Sequence, residues 1–102
     1  MKVLITDGNE RAALAVTRAL GGEQVEVIVG AESQRSLAGS SRYCRQSIAY
    51  PSPYQEPERF IATLMEAVRT HRVGALIPLS DIAMHVLGPE KAQIEKYTHF
   101  PA

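Results

Sequence analysis

The fold of this 102-residue chain is decided by the stretch Lys2-Val3-Leu4-Ile5-Thr6-Asp7-Gly8-Asn9-Glu10-Arg11-Ala12-Ala13. A short apolar, β-branched run changes into a polar Asp-Gly-Asn segment, and an alanine-rich helical pattern follows at once. This order predicts a strand, a turn and a helix, with the turn at the carboxyl end of the first strand. Ligands of open α/β sheets bind at that edge. The stretch therefore predicts the position of a binding site without identifying its ligand.

Three further strands are predicted along the chain. Val25–Val29 is apolar and β-branched, and Gly30 follows it at a point where backbone freedom matters more than a side chain. A shorter strand is predicted for Gln46–Tyr50, because the prolines of Pro51-Ser52-Pro53 prevent its continuation. Ala75–Leu79 predicts the fourth strand.

Helical periodicity fills the intervals between the strands. Gly21-Gly22 is expected to end the first helix, while Pro57 suits the first position of the second helix and Gly74 closes it. The second helix has an apolar stripe at 3.6-residue spacing, as a helix with one buried face requires. The remaining helical segments run from Ser80 or Asp81 to Leu87 and, after the Gly88-Pro89 break, over Glu90–Tyr97.

The alternation of strands and helices predicts an α/β fold. Its expected form is a three-layer, Rossmann-like parallel sheet of about four strands, with helices on both faces. Right-handed crossovers give the strand order 3-2-1-4. The order reverses between strands one and four, so a crevice is expected between their carboxyl ends.

The polar tips of strands one and four form the candidate site. Helix amino termini and polar side chains would face the crevice there. The same residue types also cap helices: Asp7 and Glu10 have capping-box spacing, and Asn9 could serve as the cap instead. Both interpretations stay open. The candidate residues of a substrate cleft are Asp7, Gly8, Asn9, Arg11, Ser80 and Asp81.

Charge and composition exclude several classes of partner. Eleven basic residues balance eleven acidic ones, so neither nucleic acid nor an anionic membrane surface is an expected partner. No apolar stretch approaches the roughly 20 residues of a membrane-spanning helix. The single cysteine, Cys44, cannot form an internal disulfide, and we expect a cytoplasmic protein.

Several catalytic and cofactor motifs do not fit the sequence. Of the G-x-G-x-x-G dinucleotide fingerprint only Gly8 is present, although the acidic Glu32 follows the second strand. A phospho-accepting receiver domain needs an acidic neighbour beside Asp7 and a lysine at a strand end, and the chain has neither. Cys44 has no clear base, and the three histidines lack metal-ligand spacing. We predict no catalytic residue and no metal ligand.

Five segments have the order and spacing of a known protein family. They are Val3–Gly8 with its helix, Gly22–Val27, Ser40–Cys44, Tyr50–Pro53 and Ala75–Asp81. Together they resemble the N-terminal, pre-ATP-grasp domain of ATP-grasp ligases, with the greatest likeness to the carbamoyl-phosphate-synthase large-subunit-like group. The resemblance spans nearly the whole chain.

The resemblance implies a parent enzyme that joins a carboxylate to an amine or similar nucleophile through an acyl-phosphate. ATP and Mg²⁺ would be cofactors of the parent, bound by residues further along the polypeptide. This chain would then be a catalytically incomplete fragment with no cofactor of its own. Residues 1–88 would form the pre-ATP-grasp domain, and residues 89–102 would begin a helix or linker toward the ATP-grasp subdomains. Asp7–Arg11 and Ser80-Asp81 would face a small-molecule substrate.

The expected partners follow from the same resemblance. The remaining ATP-grasp domains of the polypeptide would cover part of this surface, and without them exposed apolar residues would favour homo-oligomers. The alternative is a self-contained small-ligand or protein-interaction module with a flavodoxin-like or Rossmann-like fold. The residues expected to mediate self-association are Met84, Val86, Leu87, Ile94, Tyr97 and Phe100.

Overall fold

A four-stranded parallel sheet forms the centre of the protein in the computed structural model, which describes residues 1–101. The strand order is β3-β2-β1-β4, and every neighbouring pair is parallel. The predicted order 3-2-1-4 is confirmed. The strands are β1 (Lys2–Ile5), β2 (Glu26–Ala31), β3 (Cys44–Ala49) and β4 (Ala75–Ile77).

Helices cover both faces of the sheet, as the alternation predicts. Pro57 occupies the first turn of its helix, where its missing N–H is not needed. A 3-10 turn at Ala38–Ser40 replaces the helix that usually joins two parallel strands, because residues 32–43 carry no helical periodicity. The helices are α1 (Arg11–Gly22), α2 (Pro57–His71), α3 (Asp81–Leu87) and α4 (Lys91–Ile94).

Two apolar clusters, one on each face, hold the layers together. Successive side chains of a strand point to opposite faces, so Leu4 packs with Phe60 of α2 while its neighbours Val3 and Ile5 pack with Ala13 of α1. Leu4, Ile5, Ala13 and Phe60 are all fully buried. The central strand β1 is therefore covered on both faces, as its continuous apolar run predicts.

The segment after α3 folds back onto the sheet. The His99 N–H donates to the Gly74 carbonyl at 3.1 Å, and the His99 carbonyl accepts from the Leu76 N–H at 2.9 Å. Leu87, Ile94 and Phe100 are fully buried in the cluster that contains Leu4. The expectation that these three residues mediate self-association is wrong, because they are core residues. Met84 and Tyr97 do remain exposed, and the domain boundary at residue 88 stays a prediction.

Several glycines have roles other than the predicted ones. α1 ends at Gly22, as predicted, but the left-handed residue after that helix is Gln24, with φ of 63°. The left-handed residue that ends α2 is Arg72, two positions before Gly74. Gly30 lies inside β2 rather than after it. The left-handed residues after α1 and α2 are therefore not glycines.

The last helical region is shorter than its sequence pattern predicts. Gly88–Glu90 forms a 3-10 turn that continues directly into α4, and α4 stops at Ile94. Among residues 1–101 no helix combines the length and hydropathy needed to cross a bilayer.

Candidate functional site

Two turns lie side by side at the carboxyl edge of the sheet, one after β1 and one after β4. We call them the first turn (Thr6–Asn9) and the second turn (Pro78–Asp81). They are adjacent because β1 and β4 pair in parallel, with Ile5 opposite Ile77. The Thr6 N–H extends this ladder by donating to the Ile77 carbonyl at 3.2 Å. The fold thus brings all six candidate residues to neighbouring segments of one edge.

Asp7 has an unusual conformation at the start of the first turn. Its φ is 61°, in the left-handed region that aspartate tolerates better than most residues. Its N–H donates to the Tyr50 hydroxyl at 2.9 Å, and its carboxylate accepts from the Thr6 hydroxyl. Asp7 is only half-buried. Both its backbone and its side chain are therefore held by partners, while part of the residue stays accessible to solvent.

Thr6 joins the two turns, and the sequence did not identify it as a site residue. Its side chain is fully buried. The hydroxyl donates to the Asp7 carboxylate and accepts from the Leu79 N–H at 2.9 Å. The sequence did contain a signal for this role of Thr6. A hydroxyl residue ends an apolar strand next to the candidate aspartate, and a buried hydroxyl must find hydrogen-bond partners.

Gly8 and Asn9 connect the first turn by hydrogen bonds to β2 and to the segment that follows β2. The Gly8 N–H donates to the Gly30 carbonyl at 3.0 Å, and the Gly8 carbonyl accepts from the Ala38 N–H at 2.8 Å. The Asn9 Oδ1 accepts from the Leu37 N–H at 3.1 Å. A Cβ at residue 8 would lie 2.5 Å from Ser36 Oγ. Glycine is needed here for close packing against the serine.

The capping interpretation holds in the second turn and fails in the first. Ser80 is the N-cap of α3, and its Oγ accepts from the Ala83 N–H at 3.2 Å. Asp81 follows in the first turn of that helix, where its charge suits the helix dipole. The N-cap of α1 is Glu10, whose side chain makes no capping hydrogen bond. Arg11, the first residue of α1, is exposed.

Tyr50 reaches the first turn from the end of β3 and is a second residue that the sequence did not single out. Only 5% of its surface is exposed. Its ring meets the Phe60 ring edge-on, at 4.7 Å between centroids and an interplanar angle of 88°. Burial raises the pKa of the Tyr50 hydroxyl, and the charges of Asp7 and Glu32 raise it further although the bond from the Asp7 N–H opposes them. The hydroxyl is therefore neutral at physiological pH.

Two clefts lie away from both turns. One, of about 370 Å³, lies between α2 and α3 and is bordered by Pro53, Ile61 and Val86 together with the exposed Tyr54. The other, of about 350 Å³, opens at the amino edge of the sheet beside Gln24, Arg42 and Cys44. Within residues 1–101, no three His, Cys, Asp or Glu side chains are grouped as a metal site would need.

The chemistry available at the carboxyl edge is recognition of a polar group. The half-buried Asp7 lies in the first turn and the exposed Arg11 begins α1, and Asp7, with its left-handed φ, is held by Thr6, which follows β1, and by Tyr50, which follows β3. Such an arrangement can orient a substrate without changing its bonds. The prediction that the cleft contains no catalytic residue stays a prediction.

Comparisons with known proteins show a likeness of fold. Neither a scan against family models nor a search of curated proteins finds a match. Among solved structures, the chain is similar to glycinamide-RNase-transformylase T from Mycobacterium tuberculosis, with a TM-score of 0.67 and 20% sequence identity. The similarity covers 98% of this chain and 28% of that protein. The matching region is the N-terminal part of the transformylase.

Proposed function

We propose that this chain is the N-terminal substrate-cleft domain of an ATP-dependent carboxylate–amine ligase of the ATP-grasp superfamily, similar to the carbamoyl-phosphate-synthase large subunit. The observation that carries the proposal is the parallel pairing of β1 with β4, which aligns two polar turns at one edge. The likeness to the N-terminal part of a transformylase that is itself an ATP-grasp enzyme supports it. The five sequence segments that resemble the pre-ATP-grasp domain support it independently.

In the proposed enzyme this domain supplies one wall of the substrate cleft. The Asp7 carboxylate accepts hydrogen bonds from the substrate, while the exposed Arg11 and Asp81 line the sides of the same edge. Gly8, Asn9 and Ser80 support the wall instead, because their polar groups already bond Gly30, Ala38, Leu37 and Ala83. The wall binds and orients; it performs no bond-breaking step.

ATP and Mg²⁺ are assigned to the remaining ATP-grasp domains of the same polypeptide. This assignment follows the family resemblance, in which the residues that bind the nucleotide and the metal lie further along the polypeptide. In the proposed reaction ATP converts the carboxylate into an acyl-phosphate, and the amine displaces phosphate from it.

A self-contained binding module is the second candidate function. The cleft of about 370 Å³ between α2 and α3 favours it, because apolar side chains and the exposed Tyr54 border a concave surface of ligand size. In that case a small apolar molecule would bind to the chain by itself. If the isolated chain binds such an apolar molecule and the D7N variant binds it equally well, the binding module is supported over the ligase domain.

The test uses two separate proteins, the isolated chain and the full polypeptide that its gene encodes. The full polypeptide should release phosphate from Mg-ATP only when both an acid and an amine are supplied, and hydroxylamine should trap the acyl-phosphate. D7N should reduce that rate at limiting amine about tenfold, a loss equivalent to one charge-assisted hydrogen bond. E23Q is the control, because Glu23 is an exposed carboxylate at the C-cap of α1, the end of that helix away from the two turns.

Calorimetry on the isolated chain tests where ATP binds. We expect no heat of binding with Mg-ATP. Tight binding of Mg-ATP by residues 1–102 alone would contradict the assignment of the nucleotide to other domains. A full polypeptide that shows no acid- and amine-dependent phosphate release would contradict the ligase proposal itself.

A further inference from the structure

We infer that Tyr50 is a positioning residue of this cleft, whose buried hydroxyl holds the first turn so that the Asp7 carboxylate is presented to the amine substrate. The inference rests on the proposed function and extends it to a residue outside both turns. The Asp7 N–H and the Tyr50 hydroxyl are 2.9 Å apart, although the residues are 43 positions apart in the chain.

The conformation of Asp7 explains why a positioning residue is needed. A left-handed φ of 61° is costly for a residue with a Cβ, and surrounding contacts must maintain it. The Tyr50 hydroxyl binds the backbone N–H of Asp7, and the Thr6 hydroxyl binds its carboxylate. The backbone and the side chain of Asp7 each have one such partner, and both partners are buried.

Tyr50 is itself held rigidly enough to position another residue. Its N–H donates to the Ala31 carbonyl at 2.9 Å, and the Phe60 ring packs edge-on against its ring. The other side of the ring lies over Gly30, where a Cβ would lie 2.9 Å from Tyr50 Cε2. Glycine inside β2 therefore makes the space through which the tyrosine reaches the first turn.

The remaining hydrogen-bonding capacity identifies the chemical class of the bound group. An ionised carboxylate only accepts hydrogen bonds, and Oδ2 of Asp7 is engaged by Thr6. Its other oxygen can accept a bond from an N–H donor. A phosphate or a second carboxylate would be repelled by the negative charge of the Asp7 carboxylate itself. The group that fits is the amine of the nucleophile.

Amide hydrogen exchange and steady-state kinetics of Y50F test the inference. In the isolated chain, the Asp7 amide should exchange at least tenfold faster in Y50F, while the Gly8 amide, which bonds the Gly30 carbonyl, keeps its rate. In the full polypeptide, the KM for the amine should rise about tenfold, whereas the KM for ATP should change less than twofold. Y43F is the matched control, because the Tyr43 hydroxyl bonds only the exposed Arg42 side chain.

A second variant separates positioning from loss of the hydroxyl. G30A keeps the tyrosine but displaces its ring, and it should raise the KM for the amine in the same way. A fall in melting temperature without faster Asp7 exchange would overturn the inference, since Tyr50 would then only stabilise the core. Faster Asp7 exchange with an unchanged KM for the amine would also overturn it. If the wild-type polypeptide consumes no amine, the proposed function fails, while the exchange rates still report whether Tyr50 holds Asp7.

Discussion

The first and second turns occupy equivalent places at the carboxyl edge of neighbouring strands, yet different contacts build them. The second turn is mostly local: apart from the Leu79 N–H, which bonds Thr6, it is built by Ser80, which caps the helix that begins at the next residue through a bond to an amide three positions away. The first turn is held by Tyr50, Leu37 and Leu79, which lie 43, 28 and 73 positions from their partners. Residues of similar polarity therefore play a local role in one turn and a tertiary role in the other.

This difference indicates which turn is better suited to hold a ligand in one orientation. A turn fixed by several distant elements keeps its geometry when the adjacent helix frays, and a preorganised group binds at lower entropic cost. A capped helix start depends mainly on its own few residues. The first turn is therefore the more rigid half of the proposed cleft, and four measurements can break or sharpen that contrast.

The largest effect is expected from G8A in the first turn. A Cβ there would approach Ser36 Oγ to 2.5 Å and Val29 Cγ1 to 2.7 Å, and such overpacking lowers the free energy of unfolding by about 3 kcal/mol. Urea denaturation measures it. G22A is the control, because a Cβ at this helical position meets no atom within 4 Å and should raise stability by roughly 0.5 kcal/mol. Equal stability of the two variants would refute the close packing of the first turn.

A smaller loss is expected when the hydroxyl that joins the turns is removed. T6V keeps the shape of the side chain but leaves the Leu79 N–H without its acceptor, which costs about 2 kcal/mol. T17V is equally buried, but its hydroxyl donates to a helix carbonyl at Ala13, so the loss should stay below about 0.5 kcal/mol. Similar unfolding free energies for both variants would show that Thr6 does not connect the turns.

S80A should cost about 1 kcal/mol, the usual contribution of an N-cap. Because the cap is local, amide exchange should accelerate in α3 and remain unchanged at Asp7 and Gly8. Exchange followed by NMR distinguishes the two regions. If the amide exchange rate at Asp7 increased as much as the rates in α3, the two turns would be coupled more strongly than the Thr6 bond allows.

The last effect appears only at alkaline pH. Burial raises the pKa of Tyr50 above its usual value of 10.0 in the folded protein, so the unfolded chain loses this proton first. The corresponding stability is fully present below pH 10 and is lost as pH rises further, with a slope of at most about 1.4 kcal/mol per pH unit. Melting temperatures between pH 8 and pH 11 should fall more steeply for the wild type than for Y50F. Parallel curves would show that Tyr50 titrates normally.

Much of the fold could be predicted from the sequence because it depends on local patterns. The apolar run of β1, the proline at the start of α2 and the serine before α3 each report on their own neighbourhood. The prediction for Gly30 failed for the opposite reason. Gly30 and Gly8 are small because Tyr50 and Ser36 pack against them, and those neighbours come from other parts of the chain.

The sequence by itself determined that four strands alternate with helices, that the sheet is parallel and that its polar tips meet at one edge. Periodicity and handedness suffice for this, since both arise from backbone geometry common to all chains. Only the tertiary structure decided which polar residues are free to bind. Thr6 and Tyr50 hold Asp7, Asn9 is bonded to Leu37, and Phe100 is a core residue. These assignments depend on contacts between distant segments, and residue spacing along one chain carries no information about them.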